Sequence, residues 1–433
     1  MEISPGLVGV IGLVILMILL FARMWIGLAM AVVGFLGFIY LSDFPSSLVI
    51  LATVPYRTMA DYNMSVLPLF ILMATIVSNT GISQELYVSA NTWVGQLRGG
   101  LAMATCAACA AFSAICGTSS AGTITMGKVA VPEMKKYNYD ESLATGCVAA
   151  GGTMGILIPP SVGFILYAIL TEQSIGKLFM AGIFPGLLLT LLFIIIIGGL
   201  AWLRPAIAPA GAKTSFKQKI ISLKHTWAMG ALFIIVMGGI YAGIFTPTEA
   251  GAIGAFGAVV ISFVRRKLSA KNFLESVLDS VQTTGMIIFL IIGAFIFMRF
   301  LAVSELPFTL ADFVGSLPLD RYVIFMIIVI IYIIIGMFMD IYGAMVLTVP
   351  IFFPVILVLE FDPVWYGVIM VLLIEMGLIT PPVGLNVFIL SGVTGTKIST
   401  IFRGVWPFVL AILLCVVILT LFPEVALFLP SRM

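Results

Sequence analysis

Four stretches of this 433-residue sequence set glycine, proline and hydroxyl side chains inside otherwise apolar runs. They are Gly117-Thr-Ser-Ser-Ala-Gly-Thr123, Gly151-Gly-Thr-Met-Gly-Ile-Leu-Ile-Pro-Pro-Ser161, Gly336-Met-Phe-Met-Asp-Ile-Tyr-Gly343 and Glu375-Met-Gly-Leu-Ile-Thr-Pro-Pro-Val-Gly-Leu-Asn386. In hydrocarbon an unpaired backbone group is costly, so irregular backbone survives only where protein or a water-filled cavity covers it. The carbonyl and hydroxyl oxygens freed at such breaks are hard ligands for a small cation such as sodium, and half-helix N-termini face an anion. One such motif alone reads equally well as a kink that serves helix packing; four at symmetric positions point to a site. Asp340 is the sharpest single residue, because a carboxylate at a span centre costs about 2.5–3.5 kcal/mol on insertion scales. Its structural alternative is a cap on the helix that follows, and the two roles are compatible. Glu375, one turn before the second Pro-Pro, is similar but could lie nearer the interface. Thr246-Pro-Thr-Glu-Ala-Gly251 has the form of a helix start, with Thr246 or Thr248 as cap and Glu249 in the first turn.

The elements that must position these residues are membrane helices. The chain is 62% hydrophobic and only 9% charged, with 21 Lys+Arg, 19 Asp+Glu and one His. Soluble domains carry about a quarter charged residues, so a soluble enzyme is excluded. The net charge of +2 leaves no basic face for nucleic acid. Five cysteines, four of them (Cys106, Cys109, Cys116 and Cys147) in apolar small-residue stretches, argue against a disulfide framework; Cys106-Ala-Ala-Cys109 reads as small residues packing between helices rather than a redox motif. Glu2 precedes the apolar run Leu7–Ala22 and Arg23 follows it, the wrong charge order for a removable signal.

Hydropathy marks spans at about 6–22, 26–41, 64–80, 140–170, 180–203, 227–243, 250–264, 280–299, 364–390 and 405–422. Two further apolar stretches, 100–131 and 321–354, are broken mid-way and are expected to be re-entrant hairpins. The polar stretch 204–226, with Arg204, Lys213, Lys217, Lys219, Lys224 and His225, is expected to be a solvated cytoplasmic linker, with His225 an ordinary surface residue. A shift of 222 residues lays Gly155-Ile-Leu-Ile-Pro159-Pro160 over Gly377-Leu-Ile-Thr-Pro381-Pro382, Met154 over Met376 and Thr118 over Asp340. The fold expected is therefore an all-α polytopic membrane protein, with an inverted repeat of five spans plus one hairpin in each of 1–203 and 227–433. With both termini outside, 15 basic residues outside the hairpins fall on the cytoplasmic side, against five (Arg57, Lys177, Arg299, Arg321 and Arg432) on the outer side. Trp25, Trp202, Trp227, Trp365 and Trp406 fall at predicted span ends, where amphipathic rings sit best.

The Ser65-Val-Leu-Pro-Leu-Phe70 segment, Gly117-Thr-Ser-Ser, Ile158-Pro-Pro-Ser161, Thr246-Pro-Thr-Glu-Ala-Gly251 and Thr380-Pro-Pro-Val-Gly384 together resemble the large membrane subunit (DctM-type permease) of tripartite ATP-independent periplasmic (TRAP) transporters. The resemblance covers essentially the whole chain. It implies a multi-pass permease of the bacterial inner membrane and an elevator-type fold, whose mobile part carries both hairpins and both broken helices. It further implies sodium-driven import of a small organic acid delivered by a periplasmic binding protein. A four-helix small membrane subunit is expected as a separate chain, because this sequence begins directly with the first span of the large subunit. The resemblance places sodium where each hairpin tip meets a broken helix: Thr118, Ser119, Ser120 and Ala121 with Gly151, Gly152 and Thr153; and Met339, Asp340 and Gly343 with Leu378, Thr380 and Pro381. Substrate contacts are implied at Ser119, Ser120, Pro160, Ser161, Tyr342, Pro382 and Asn386. No cofactor is expected beyond Na+ as coupling ion.

Competing readings are weaker. A membrane enzyme needs a nucleophile, base or metal cluster, and the single histidine lies in the linker. A channel fits two opposed hairpins less well than an occluded site does. The closer rival is a stand-alone ion-coupled carboxylate or anion transporter of the same architecture. The substrate stays open among C4-dicarboxylates, sialic acid, keto acids and other organic acids.

Overall fold

The structure is a computed structural model that describes residues 4–433, without the side chains of Ile82, Ser83 and His225. Glu2 and the surface reading of His225 therefore lie outside the described residues. In chain order the helices of the first half are α1 (Pro5–Phe21), α2 (Ile26–Leu41), α3 (Phe44–Ala60), α4 (Val66–Asn79), α5 (Ile82–Val94), α6 (Gly100–Cys116), α7 (Ser119–Lys136), α8 (Glu141–Leu157), α9 (Val162–Thr171) and α10 (Ile175–Leu203). Those of the second half are α11 (Phe216–Tyr241), α12 (Pro247–Val264), α13 (Ala270–Val303), α14 (Leu306–Ser316), α15 (Arg321–Phe338), α16 (Ile341–Val358), α17 (Pro363–Gly377), α18 (Leu385–Thr394) and α19 (Ile398–Leu421).

Moving α6 by 222 residues gives 322–338, against Arg321–Phe338 observed, and moving α7 gives 341–358, the bounds of α16. The packing partners repeat too: α13 lies along α2 as α4 lies along α12, and α16 packs on α9 as α7 packs on α18. In one place the halves differ. The stretch that is α3, a short turn and α4 in the first half is the single 34-residue α13 in the second. At 1.5 Å per residue α13 is about 51 Å long, well beyond a bilayer's hydrocarbon core.

Among the described residues, seven helices are long and apolar enough to cross a membrane, or nine if each bent pair counts as one span. Three of the ten spans expected from hydropathy fall short, because α1 and α2 have only 17 and 16 residues and the 364–390 span is split into α17 and α18, of 15 and 10. Both arms of the second hairpin, α15 and α16, also qualify by length. Helices α3, α5 and α14 have no counterpart among the expected spans. Of the stretch 204–226, expected to be a solvated linker, α11 takes up the part from Phe216 onward, and the segment before it is hydrogen-bonded to the first half. Gly99 N–H donates to the Ala208 carbonyl at 3.0 Å, Asp140 N–H to Ile207 at 2.9 Å, and Gly211 N–H to Gly95 at 2.9 Å.

Helix association inside a bilayer gains nothing from expelling water, so close backbone packing and satisfied polar tips carry it. Helices α8 and α19 cross where Gly146 meets Gly404 with no room for a side chain on either. Around α17 the large rings are fully buried and their polar ends are paired. Tyr332 and Tyr366 hydroxyls lie 2.7 Å apart, Tyr167 donates to the Pro363 carbonyl at 2.6 Å, and Trp365 Nε1 donates to the Leu419 carbonyl at 2.7 Å.

Glu85 of α5 pairs with both Arg265 and Lys267, in the turn between α12 and α13, with the Arg265 contact at 2.8 Å. This ion triad is the charged clamp that fixes α5, whose flanking Gly81 and Gly99 adopt the left-handed region at φ +69° and +75°. Glu85→Gln leaves two half-buried cations without a carboxylate. Amide hydrogen exchange across 82–94 is expected to rise on the order of tenfold, with little change in α8; unchanged exchange in α5 rejects the clamp.

Candidate ion and substrate site

Each interrupted helix pair forms a hairpin whose tip meets a broken helix. In the first, Cys106 Sγ lies 3.9 Å from the Cys147 carbonyl and Gly117 faces Pro160, so α6 runs parallel to α8. The chain then turns. A methyl on Gly155 would stand 2.5 Å from the Thr118 carbonyl oxygen, and Met134 Sδ is 4.0 Å from Cys147 Sγ, so α7 runs back along the same helix. Gly117 makes the turn at φ +64°, a conformation that favours glycine, and its carbonyl accepts from Val162 N–H at 3.4 Å.

The second hairpin repeats the arrangement. The Phe325 and Trp365 rings are 5.3 Å apart, and a methyl on Gly336 would come 2.8 Å from the Ile374 carbonyl, so α15 runs parallel to α17. The Tyr332 ring lies 5.8 Å from Phe352, which brings α16 back beside α15. Gly384, at φ +62°, donates to the Met337 carbonyl at 3.4 Å and so ties the broken helix to the tip.

Thr118 occupies the N-cap position of α7 in extended backbone, without a side-chain cap bond, and Ser119 and Ser120 open that helix. Gly151, Gly152 and Thr153 do not lie in irregular backbone, contrary to the expectation of a break from Gly151 onward. They are inside α8, which stays helical to Leu157, and the Thr153 hydroxyl is satisfied by the Ala150 carbonyl at 2.6 Å. Their glycines serve packing: a methyl on Gly152 would lie 3.1 Å from the Ser119 carbonyl. The true break is Ile158–Ser161, with a cis Pro159-Pro160 bond and Ser161 capping α9 through Phe164 N–H at 3.2 Å. Met339 ends α15 in extended backbone, and Asp340 caps α16 by accepting from Tyr342 N–H at 3.2 Å, with Gly343 in that first turn. Leu378, Thr380, Pro381 and Pro382 form the second break, which has a cis Pro381-Pro382 bond; the Thr380 hydroxyl donates to Met376 at 2.7 Å.

The residue that draws these parts together is Glu375. It is 2% exposed, and neither carboxyl oxygen has a hydrogen-bond partner. The hydroxyl of Tyr342, in the first turn of α16 at the second tip, is buried and also unpartnered. Asn386, on the first turn of α18, is 1% exposed with both amide atoms unpaired. An unpaired buried polar group is costly, and three of them on the second tip and the helices flanking the second break mark this region as a candidate ligand site. Asp340 fills the cap role that the sequence allowed beside a cation role, while Glu375 is the acid left without any partner. The signal available was the position of Glu375 one turn before Pro381-Pro382. Thr246-Glu249 lies outside the site and closes a capping box, with Thr246 N–H donating to Glu249 at 2.8 Å.

The donor set consists of carbonyls, hydroxyls and carboxylates. Among the described residues no group of three His, Cys, Asp or Glu is placed to hold a metal ion. All five cysteines are buried free thiols. Such hard oxygen donors match an alkali cation better than a transition metal.

Comparisons with known proteins agree with this architecture. Residues 13–425 match the family model described as the tripartite ATP-independent periplasmic transporter, DctM component. The chain is 37% identical over 389 residues to a C4-dicarboxylate TRAP transporter large permease protein of Pseudomonas aeruginosa, covering 89% of this chain and 90% of that one. It is 30% identical to the 2,3-diketo-L-gulonate large permease protein of Escherichia coli (84% and 85% covered). To the sialic acid large permease protein of Vibrio cholerae it is 28% identical (95% and 96% covered). Among solved structures, the Alcanivorax borkumensis YdaH transporter superimposes with a TM-score of 0.62 at 16% identity, over 89% of this chain and 88% of that one. The Neisseria gonorrhoeae MtrF efflux pump does so with a TM-score of 0.56 at 14% identity (86% and 84%). These two likenesses concern the fold. The family is a transporter permease, not an enzyme, and sits in the bacterial inner membrane. With its apolar helices, its paired hairpins and its match from residue 13 to residue 425, the chain belongs to the DctM family of TRAP transporter large permeases.

Proposed function

We propose that this permease imports a small organic acid by sodium-coupled secondary transport, with the coupling cation and the substrate held between the two hairpin tips. The observation that carries the reading is the buried, unpartnered Glu375 carboxyl, on the helix that leads into the cis Pro381-Pro382 break and that meets the second hairpin at the Gly336–Gly377 contact. Thr118–Ala121 against Gly152, and Met339–Gly343 against Leu378–Pro381, supply carbonyl and hydroxyl oxygens for the cation. Asn386 and Tyr342 offer donors to a carboxylate. Transport by an elevator movement is supported by the division of packing. Helices α2, α4, α12 and α13 pack on one another, while the hairpins pack on α8, α9, α17 and α18. The relatives' printed substrates span C4-dicarboxylates, diketogulonate and sialic acid, so the class proposed here is a small carboxylate. A periplasmic binding protein and a small membrane subunit on a separate chain complete the machine; one relative, the isethionate permease of Oleidesulfovibrio alaskensis, is named DctMQ and is covered over only 59% of its length.

The test is uptake into proteoliposomes holding the large and small subunits, with a binding protein added and with sodium and pH varied separately. Uptake should require an inward sodium gradient and the binding protein together. Uptake driven by a proton gradient without sodium rejects the coupling. Uptake that ignores the binding protein selects the stand-alone transporter instead.

A further inference from the structure

Five basic residues lie on the side assigned to the exterior, and the structure treats them unequally. Arg321 stacks on Tyr322 and Phe361 at 5.0 and 5.2 Å, and Arg432 stacks on Phe428 at 4.0 Å. Arg57, in the last turn of α3, and Arg299, near the end of α13, have no such ring, and among the described residues neither has a carboxylate within 4.0 Å. Both line one cavity of about 770 Å³ between α3, α13 and the end of α9. A second cavity of about 540 Å³ adjoins it. The two share Asp61, Glu172, Phe295 and Met298.

The geometry points to a carboxylate-capture site at Arg57 and Arg299, the place where an organic acid is held before it reaches the tips. This inference rests on the proposed importer with its exterior at this end. Guanidinium groups from two different helices line this one cavity, and the forked N–H donors of a guanidinium suit a carboxylate better than a lone ammonium does. Both arginines belong to helices that pack with the α2–α4–α12–α13 group, so the capture point sits on the wall. Glu172 belongs to the α9 side. Asp61 and Glu172 line the same cavity and continue into the second one, so a carboxylate is drawn toward the arginines and away from the acids. Phe295 and Met298 supply the apolar wall that a carbon skeleton needs. A depression of about 770 Å³ with an apolar floor matches a small organic acid, and protection by a free acid against protection only by the binding protein decides between the two occupants.

The experiment reads the arginines directly. The purified complex of large and small subunits is treated with phenylglyoxal, and peptide mass spectrometry follows Arg57, Arg299, Arg321 and Arg432 separately. Succinate, pyruvate and N-acetylneuraminate are added in turn, with chloride at equal ionic strength as control. At least one carboxylate should protect Arg57 and Arg299 together and leave Arg321 and Arg432 unchanged. With Arg57→Gln, about tenfold more of that acid should be needed to protect Arg299; Arg57→Lys should lie between. Protection of all four arginines alike, of none, or only when the binding protein is added overturns the capture site. Uptake separates this from the parent reading. If the wild type takes up substrate on a sodium gradient and the Arg57→Gln/Arg299→Gln pair does so at unchanged KM, the capture site fails and the importer stands. If the wild type shows no sodium-driven uptake, the importer fails, and the protection data still decide the anion site.

Discussion

Glu375→Gln is expected to raise the sodium concentration for half-maximal uptake on the order of a thousandfold, with the protein still folded and inserted. A unit charge about 4 Å from a cation contributes roughly 4 kcal/mol at an effective dielectric of about 20, and glutamine keeps an oxygen ligand while removing that charge. The size follows from burial: at 2% exposure there is no solvent to take over the role. Asp340→Asn should have a smaller effect, because part of its carboxylate is committed to the Tyr342 N–H. Asparagine also caps helices well, so the helix start survives that change. Thr118→Ala should have the smallest effect, since its hydroxyl makes no cap bond and its carbonyl, the group aimed at Gly155, is retained. The measurement is the sodium dependence of uptake for the three variants at equal reconstituted amounts. The order Glu375, Asp340, Thr118 is the prediction. If Asp340→Asn is the most impaired and Glu375→Gln is normal, the charge at the cation lies on the cap, and the central role given to Glu375 is wrong.

That ordering shows what the sequence could and could not express. The hairpins were legible because a glycine- or aspartate-bearing break halfway along an apolar run leaves each arm room to enter the bilayer and return, and their tips fall at Gly117-Thr118 and Met339-Asp340. The two Pro-Pro breaks were legible because proline cannot donate the bond that continues a helix. Helix α5 was not, since Ile82–Val94 contains Gln84, Glu85, Asn91 and Thr92 and gives no run long enough for a span. Its role, held by Glu85 against the distant turn at Arg265 and Lys267, is a tertiary fact. Helix α3 hides behind Pro45 and Pro55. The reading of Gly151–Thr153 as a break confused two uses of glycine. In α8 it lets the arms of the first hairpin come close without interrupting the helix, and only the packing partners distinguish that from a true break. Glu375 and Asp340 looked alike as acids in apolar runs. What separates them is whether a backbone N–H is within reach, which depends on where the next helix begins.

The tips stay beside their broken helices only while the backbones touch, and glycine is what permits it. Gly336 of α15 and Gly377 of α17 face each other, and a methyl on Gly336 would lie 2.8 Å from the Ile374 carbonyl oxygen and 3.2 Å from Gly377 Cα. The obstacles are backbone atoms of a buried helix, so no flexible side chain can yield. Gly336→Ala must therefore push α15 away from α17, at an overpacking cost of about 1–3 kcal/mol. The shift falls one turn from Met339 and from the Gly384–Met337 bond, and so it moves the second tip relative to Glu375. Uptake is expected to fall by at least about tenfold, because a site built from oxygens of separate elements tolerates little displacement. The first tip, held by Gly117 and Gly155 on α8, should be undisturbed. Gly285→Ala is the control, since nothing lies within 4 Å of the added methyl there, and a helix interior gains slightly from alanine. Both variants should be compared for yield, for monodispersity in detergent and for sodium-driven uptake. Loss of uptake in Gly336→Ala with normal yield, beside a normal Gly285→Ala, is the expected result. Normal uptake in Gly336→Ala means that the second tip does not need its contact with α17, and the site must then be built from the first hairpin alone.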